Sequence, residues 1–239
     1  VQTPGVVYAL AMAVRALTEK GEGVIIQPPV YYPFSNVIRN NGRVIVESPL
    51  VYENGRYTID FEDFEKKASR EDVKLFILCS PHNPVCRVWT KDELKKLGEI
   101  CKKYDVYVVS DEIWSDILLD GHKHIPTQSV SEDARQRTVA MYAPSKTFNL
   151  AGLIGAYHII YNKWLRDRIA KESSLSHYNS MNVLSMHALI GAYKPEGHQW
   201  VDELCQVLTE NVRYGYDFIK ANFKGVEVTM PQGTYMLFL

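Results

Sequence analysis

The chain has 239 residues, 46% of them hydrophobic, which is enough to bury the core of one large domain and excludes a disordered segment. Its 27 Lys and Arg nearly balance 28 Asp and Glu, so bulk charge gives no sign of a nucleic acid or an anionic membrane as partner; a small neutral or zwitterionic substrate is compatible. The four cysteines, Cys79, Cys86, Cys101 and Cys205, show neither C-x-x-C nor metal spacing, and the apolar runs are too short to span a membrane; a cytoplasmic, reducing compartment is the default expectation.

Helical and strand-like patterns alternate, which predicts an α/β domain with a mostly parallel sheet. Pro4 and Gly5 open an alanine-rich helix that runs to about Glu19 and stops at Gly21 and Gly23. Val24 to Ile26 reads as a buried strand, Phe34 to Asn41 as a short helix and Arg43 to Glu47 as a strand, with a turn at Asn54-Gly55. A helix follows over Asp60 to Ala68, then a strand over Val73 to Leu78 and the proline-rich loop Ser80 to Pro84. Thr90 with Glu93 is a capping-box signal for a helix over Lys91 to Lys103. Val106 to Val109, Thr138 to Met141 and Ala156 to Ile160 are further strands, and helices are expected over Lys163 to Lys171, Ser180 to Ala192 and Glu196 to Asn222. Val226 to Val228 and Thr234 to Leu239 look like strands of another unit. No repeat or low-complexity linker is visible.

Three polar residues follow successive strands: Asn83, Asp111 and Lys146. In a parallel sheet such positions gather at the carboxyl edge, where open α/β folds bind ligands. A lysine can form a Schiff base, a carboxylate can pair with a pyridinium nitrogen and an amide can hydrogen-bond a ring oxygen, which is the set that pyridoxal phosphate (PLP) needs. Taken singly, each has a plainer reading: Asp111 as a helix cap, Asn83 as a turn residue, Lys146 as a solvated surface lysine. Tyr31 and Tyr32 offer an aromatic face and a phenol, or simply packing. Thr3-Pro4-Gly5-Val6-Val7 precedes a helix whose free amides could hold a phosphate, or is an ordinary helix start. Trp114 and Ser115 are close enough to Asp111 to line the same pocket. Cys86 reads as an inert thiol, and His82, His122 and His124 form no metal signature.

The ordered motifs P-G-V-V, P-V-Y-Y-P-F, S-P-H-N-P-V, S-D-E-I and A-P-S-K-T-F-N make the chain resemble fold-type I PLP-dependent enzymes of the class I/II aminotransferase superfamily. It is most similar to the MalY/PatB/cystalysin cystathionine β-lyase branch. The resemblance implies an aspartate aminotransferase-like large domain with helices on both sheet faces. Residues 1–224 would form this PLP-binding domain, and residues 225–239 the start of a small domain otherwise absent, in a chain cut from a longer enzyme. It also implies Lys146 as the Schiff-base and catalytic lysine, Asp111 as partner of the ring nitrogen, and Asn83 near the ring oxygen. Tyr31 matches the stacking aromatic, Tyr32 a catalytic, substrate-facing tyrosine, Gly5, Val6 and Val7 the phosphate loop, and Ser145 and Trp114 further cofactor contacts. Expected activity is β-elimination from cystathionine or a cysteine thioether, giving thiol, pyruvate and ammonia; transamination or a MalY-like regulatory binding role are the alternatives. A homodimer is expected, with the stretch His177 to Asn182 as one candidate contact. Two departures stand out: Ile154 sits eight residues after the lysine, where aminotransferases of the superfamily commonly carry a phosphate-binding arginine, and Cys86 stands where the family has glycine. The family's substrate-carboxylate arginine lies in its C-terminal part, so no residue of this chain is assigned to it.

Overall fold

Residues 1–177 and 179–239 are described by the structure, a computed structural model. In chain order the elements are β1 (Gln2–Thr3), α1 (Val6–Leu17), β2 (Gly23–Ile26), α2 (Pro33–Asn40), β3 (Val44–Glu47), β4 (Leu50–Glu53), β5 (Arg56–Ile59), α3 (Phe61–Ala68) and β6 (Val73–Cys79). There follow α4 (Lys91–Lys103), β7 (Tyr107–Asp111), α5 (Glu132–Arg137), β8 (Thr138–Tyr142), α6 (Pro144–Thr147), β9 (Ala156–Ile159), α7 (Lys163–Ser174), α8 (Val183–Ala192) and α9 (Pro195–Asn222). Seven strands form one sheet in the order β1-β9-β8-β7-β6-β2-β3. From β3 to β8 the neighbours are parallel, while β9 joins β8, and β1 joins β9, antiparallel.

Strand side chains alternate between two faces, and the central strands are apolar on both. Leu75, Ile77 and Cys79 of β6 and Val109 of β7 pack with α1, α2 and α7 through Leu10, Ala13, Phe34 and Leu165. The intervening Phe76, Leu78 and Val108 pack on the other face with Phe64, Leu94, Leu97 and Ile100 of α3 and α4. The result is three layers, helices on both faces of a mostly parallel sheet. Asp111 shares the parity of Val109 and so belongs to the α1 side; Ser110 and Glu112 belong to the opposite face.

Local signals account for most boundaries. Thr90 accepts from Glu93 N at 3.2 Å and Glu93 Oε2 accepts from Thr90 N at 2.7 Å, closing the expected capping box of α4. The Asn54-Gly55 turn joins β4 to β5 with both residues at positive φ, 52° and 79°, the hand that matches strand twist in a tight hairpin. Helix α8 starts at Val183 rather than Ser180 because the Asn182 side chain accepts from Ser185 N at 2.9 Å and caps it there. The expected strands at Val226 to Val228 and Thr234 to Leu239 do not form. That segment satisfies its backbone on loops instead: Gln232 N donates to Cys86 O at 2.9 Å, Thr234 N to Ile117 O at 2.9 Å, and Gln232 O accepts from Leu119 N at 3.0 Å. Only an isolated bridge, Leu118 to Gly233, has strand geometry. No helix among the described residues is long and apolar enough to cross a membrane.

Candidate active site

Five chain segments meet above the carboxyl edge of the sheet. β6 and β7 are in register at Cys79 and Asp111, and β7 and β8 at Asp111 and Met141, so the residues that leave these strands emerge side by side. Cys79 leads through Pro81 to Asn83, whose carbonyl accepts from Tyr31 N at 3.1 Å and so ties the loop after β2 to the loop after β6. β8 runs through Ala143 into the short helix α6, which carries Ser145 and Lys146. The first turn of α1 closes the space from above. Together they enclose a cavity of about 260 Å³ whose wall includes Gly5, Tyr31, Asn83, Asp111, Trp114 and Lys146.

The electrostatics are unbalanced in a specific way. Asp111 is 3% exposed and its Oδ1 accepts from Ile113 N at 3.2 Å. Burial, with a smaller contribution from neighbouring Glu112, raises its pKa from 3.8 to about 7 against the opposing effects of the Ile113 N–H and, more weakly, Lys146. A carboxyl in that state is stabilised as an anion by any cation brought into the cavity. Lys146 Nζ lies 5.6 Å from the centroid of the Trp114 ring. Burial, and then Tyr32 and Asp111, raise the Tyr31 hydroxyl, and burial raises the Cys79 thiol well above its usual value, so neither is an anion here. At the opposite wall Gly5 has φ 97°, and a Cβ on it would stand 3.0 Å from Ile154 Cγ2. Helix α1 therefore begins without a side-chain cap. Its amino end opens on the cavity as a ready anion cradle.

Gly5, Val6, Val7, Tyr31, Asn83, Asp111, Trp114, Ser145 and Lys146 all line this cavity. Tyr32 does not: its side chain is 73% exposed and its ring is tilted against Tyr31 at 5.7 Å. Ser115 faces a separate cleft on the far side of the Lys146 turn. Ile154 completes the wall beside Gly5 in the left-handed region, φ 56°, an uncommon conformation for a β-branched residue. Cys86 adopts φ 59°, and its turn accommodates the side chain by letting the thiol donate to Pro84 O at 3.0 Å and Met236 O at 3.3 Å. Burial pushes that thiol up to about 11, in keeping with an inert cysteine. His82 is buried edge-on to Trp89 and packs rather than reacts. In the stretch from His177 to Asn182, Tyr178 lies outside the described residues, and Asn182 Nδ2 donates to Leu153 O at 3.0 Å near the cavity wall.

Cys79, Tyr8 and Gly155 also line the cavity and were not singled out from the sequence. Cys79 had a usable signal, since it ends a strand immediately before Ser80. Tyr8 and Gly155 are placed by helix phase and by the β9 edge, which no local motif marks. Among the described residues no group of three or more His, Cys, Asp or Glu could hold a metal ion.

Comparison with known proteins agrees with this architecture. Cystathionine beta-lyase PatB of Bacillus subtilis (strain 168) is 43% identical over 237 residues, covering 99% of this chain and 61% of that protein. Protein MalY of Escherichia coli (strain K12) is 34% identical over 237 residues, covering 99% of this chain and 60% of its own length. The crystal structure of cystalysin from Treponema denticola, which contains a pyridoxal 5'-phosphate cofactor, superposes with a TM-score of 0.95 at 40% identity, over 98% of this chain and 59% of that one. The chain thus spans about 60% of the length of the curated relatives it matches. The family model for aminotransferase class I and II matches residues 1–239, and the chain belongs to that family.

Proposed function

We propose that the protein is a PLP-dependent carbon–sulfur β-lyase that acts on cystathionine or a related cysteine thioether. The observation that carries the cofactor part of this reading is the convergence of Lys146, Asp111 and Asn83 on one cavity whose other wall is an uncapped helix start, and similarity to cystathionine beta-lyase PatB supports the lyase part. The residues fit a phosphorylated pyridine aldehyde: Gly5 leaves room at the amino end of α1 for a phosphate, and buried Asp111 lacks a cationic partner within hydrogen-bond distance among the described residues. Lys146 would hold the aldehyde carbon, the Gly5-Val6-Val7 amides the phosphate, Asn83 the ring oxygen and Tyr31 the ring face, with Ser145 and Trp114 as further contacts. When bound, the cofactor supplies an electron sink conjugated with the substrate α-carbon.

The remaining chemistry belongs to the chain. Asp111, ionised beside a ring cation, keeps the proton on that nitrogen; the low local dielectric that raises its pKa is what makes the pairing strong. Once the substrate's amino group has taken its place on the aldehyde carbon, the freed Lys146 amine takes the α-proton of the substrate. The C–S bond then breaks and the sulfur leaves as thiol, with pyruvate and ammonia following by hydrolysis. Tyr32 lies outside the cavity wall, beside the Tyr31 ring, and is assigned to the leaving-group end of a substrate that reaches past that ring. Transamination is the second reading, favoured by the family that the chain matches over its whole length.

Three further assignments go with this one. Residues 1–224 form the PLP-binding large domain, and 225–239 begin a small domain. The complete protein is a homodimer, a reading supported by the exposed apolar side chains Val7, Tyr32, Ile154, Val183 and Leu184. The four free cysteines suit a cytoplasmic, reducing environment. The test is to load the full-length protein with PLP, reduce it with borohydride and locate the modified lysine, then measure thiol and pyruvate against keto-acid-dependent amino transfer. Modification of Lys146 with stoichiometric thiol and pyruvate is expected. Modification elsewhere rejects the cofactor assignment, and amino transfer without thiol release rejects the lyase reading.

A further inference from the structure

The segment that carries Asp111 into the cavity goes on to brace the lysine turn from behind. Glu112, on the opposite sheet face, is fully buried and accepts from Tyr142 OH at 2.5 Å, from Ser110 Oγ at 2.8 Å and from Thr127 N at 3.0 Å; His124 Nε2 lies 2.7 Å from its second oxygen. Tyr142 ends β8, just before the turn that presents Lys146. Past Lys146, Thr147 is fully buried and its hydroxyl donates to Asp116 Oδ2 at 2.9 Å. The same Asp116 oxygen accepts from Tyr193 OH, at the end of α8, at 3.3 Å. Phe148 follows, edge-on to Tyr193 at 5.2 Å and stacked on Trp200 of α9 at 6.1 Å.

Lys146 thus lies between two anchors that both end on carboxylates of one short segment. A cleft of about 430 Å³ opens behind the turn, yet Asp116, Tyr142, Tyr157 and Tyr193 in its wall already bond one another, Glu112 and Thr147. Those carboxylate and phenol groups hold the turn. Hydrogen bonds to a carboxylate are stronger than neutral ones and fix direction. The Glu112 anchor precedes the lysine by a stretch that includes Pro144, whereas the Asp116 anchor grips the residue directly after it. The second therefore has the greater leverage on where the amine points.

We propose that Asp116 is a positioning residue for Lys146, acting through the Thr147 hydroxyl, with Tyr193 holding the Asp116 carboxylate in place. This rests on the reading of Lys146 as the cofactor-bearing amine. Misplacing a reacting group by about an ångström is enough to cost on the order of 100-fold in rate. Loss of the Thr147–Asp116 bond lowers the rate of the proton step and leaves phosphate binding at α1 untouched.

The experiment uses the PLP-loaded full-length protein with Asp116→Ala, Thr147→Val, the double substitution and Thr147→Ser. Thr147→Val keeps the buried volume, and Thr147→Ser restores the donor. We expect each of the first two to lower kcat for thioether cleavage roughly 10- to 100-fold with KM and PLP affinity within about twofold. The double variant should be no worse than the more impaired single one, and Thr147→Ser should lie within about threefold of wild type. A second readout is the rate at which hydroxylamine displaces the cofactor from Lys146, expected to change at least about threefold in Asp116→Ala and Thr147→Val but not in Thr147→Ser. Near wild-type values in both single variants, losses that multiply in the double, or a Thr147→Ser variant as impaired as Thr147→Val overturn the proposal. If the wild type releases no thiol from any thioether, the lyase reading fails while the hydroxylamine rates still decide the role of Asp116. A cofactor that does not attach to Lys146 overturns both.

Discussion

Helix α1 buries eight of its twelve residues, and α9 buries two of twenty-eight. Leu10, Ala13 and Val14 of α1 are sealed between the sheet and the helices α2 and α7, while Val207, Tyr214 and Phe218 of α9 are 54%, 74% and 49% exposed. The difference shows where this chain determines its own geometry. The amino end of α1, which forms the anion cradle, is fixed by the core beneath it; α9 is long and well formed but contributes little to that core. Precision at the cavity therefore derives from the layered half of the molecule, and α9 bears on it through the Trp200 contact with Phe148 and the Cys205 thiol on Asp116 O at 3.6 Å.

The sharpest probe of the buried half is Asp111. Its folded pKa of about 7 stands above the ordinary 3.8, so the folded, cofactor-free protein holds that proton more tightly than the unfolded chain does. The resulting stabilisation is full below about pH 4 and is lost as pH rises toward 7, for a total of roughly 4 kcal/mol. Asp111→Asn removes this dependence. Urea unfolding of the cofactor-free full-length protein should show the variant the more stable at pH 8 and the gap closing near pH 4. A gap that does not change with pH breaks the account.

Leu10→Ala tests α1 itself. A fully buried leucine facing the sheet should cost about 3 kcal/mol, with PLP affinity falling alongside as the cradle loosens. A loss under about 1 kcal/mol would mean that the core does not fix the helix. The smallest effect is expected in α9: Tyr214→Ser, at a site 74% exposed, should change stability by no more than about 0.5 kcal/mol in the isolated 239-residue chain. A loss of about 2 kcal/mol there would erase the contrast between the two helices.

Much of the cavity was legible because its chemistry is punctuated locally. Asn83, Asp111 and Lys146 each follow an apolar strand run, and a parallel sheet brings such positions together by topology alone. Thr90 with Glu93, and Asn54-Gly55, announced a helix start and a hairpin for the same reason. What stayed hidden depends on contacts distant in sequence. Nothing near Asp116 points to Tyr193, and nothing near Tyr142 singles out Glu112; those pairs exist only after the loops pack. The alternation in Val226 to Val228 resembles a strand, but a strand also needs a partner edge, and the loops around Cys86 and Ile117 take up its neighbours' hydrogen bonds instead. Of the adjacent tyrosines, Tyr31 lines the cavity and Tyr32 faces outward, a choice set by the turn into α2 that sequence spacing does not convey.

The cavity wall is gathered from residues between Pro4 and Gly155, with no stretch of the chain holding more than a fraction of it. Closing loops of that length costs entropy before any contact rewards it, so such a space is completed late, after the strands that bound it have paired. A nascent or partly unfolded chain can contain α1, β7 and the Lys146 turn without containing the cavity. Occupancy by a ligand that needs all its walls therefore marks finished chains and stabilises them by mass action, which makes ligand supply a control on how many copies survive long enough to work.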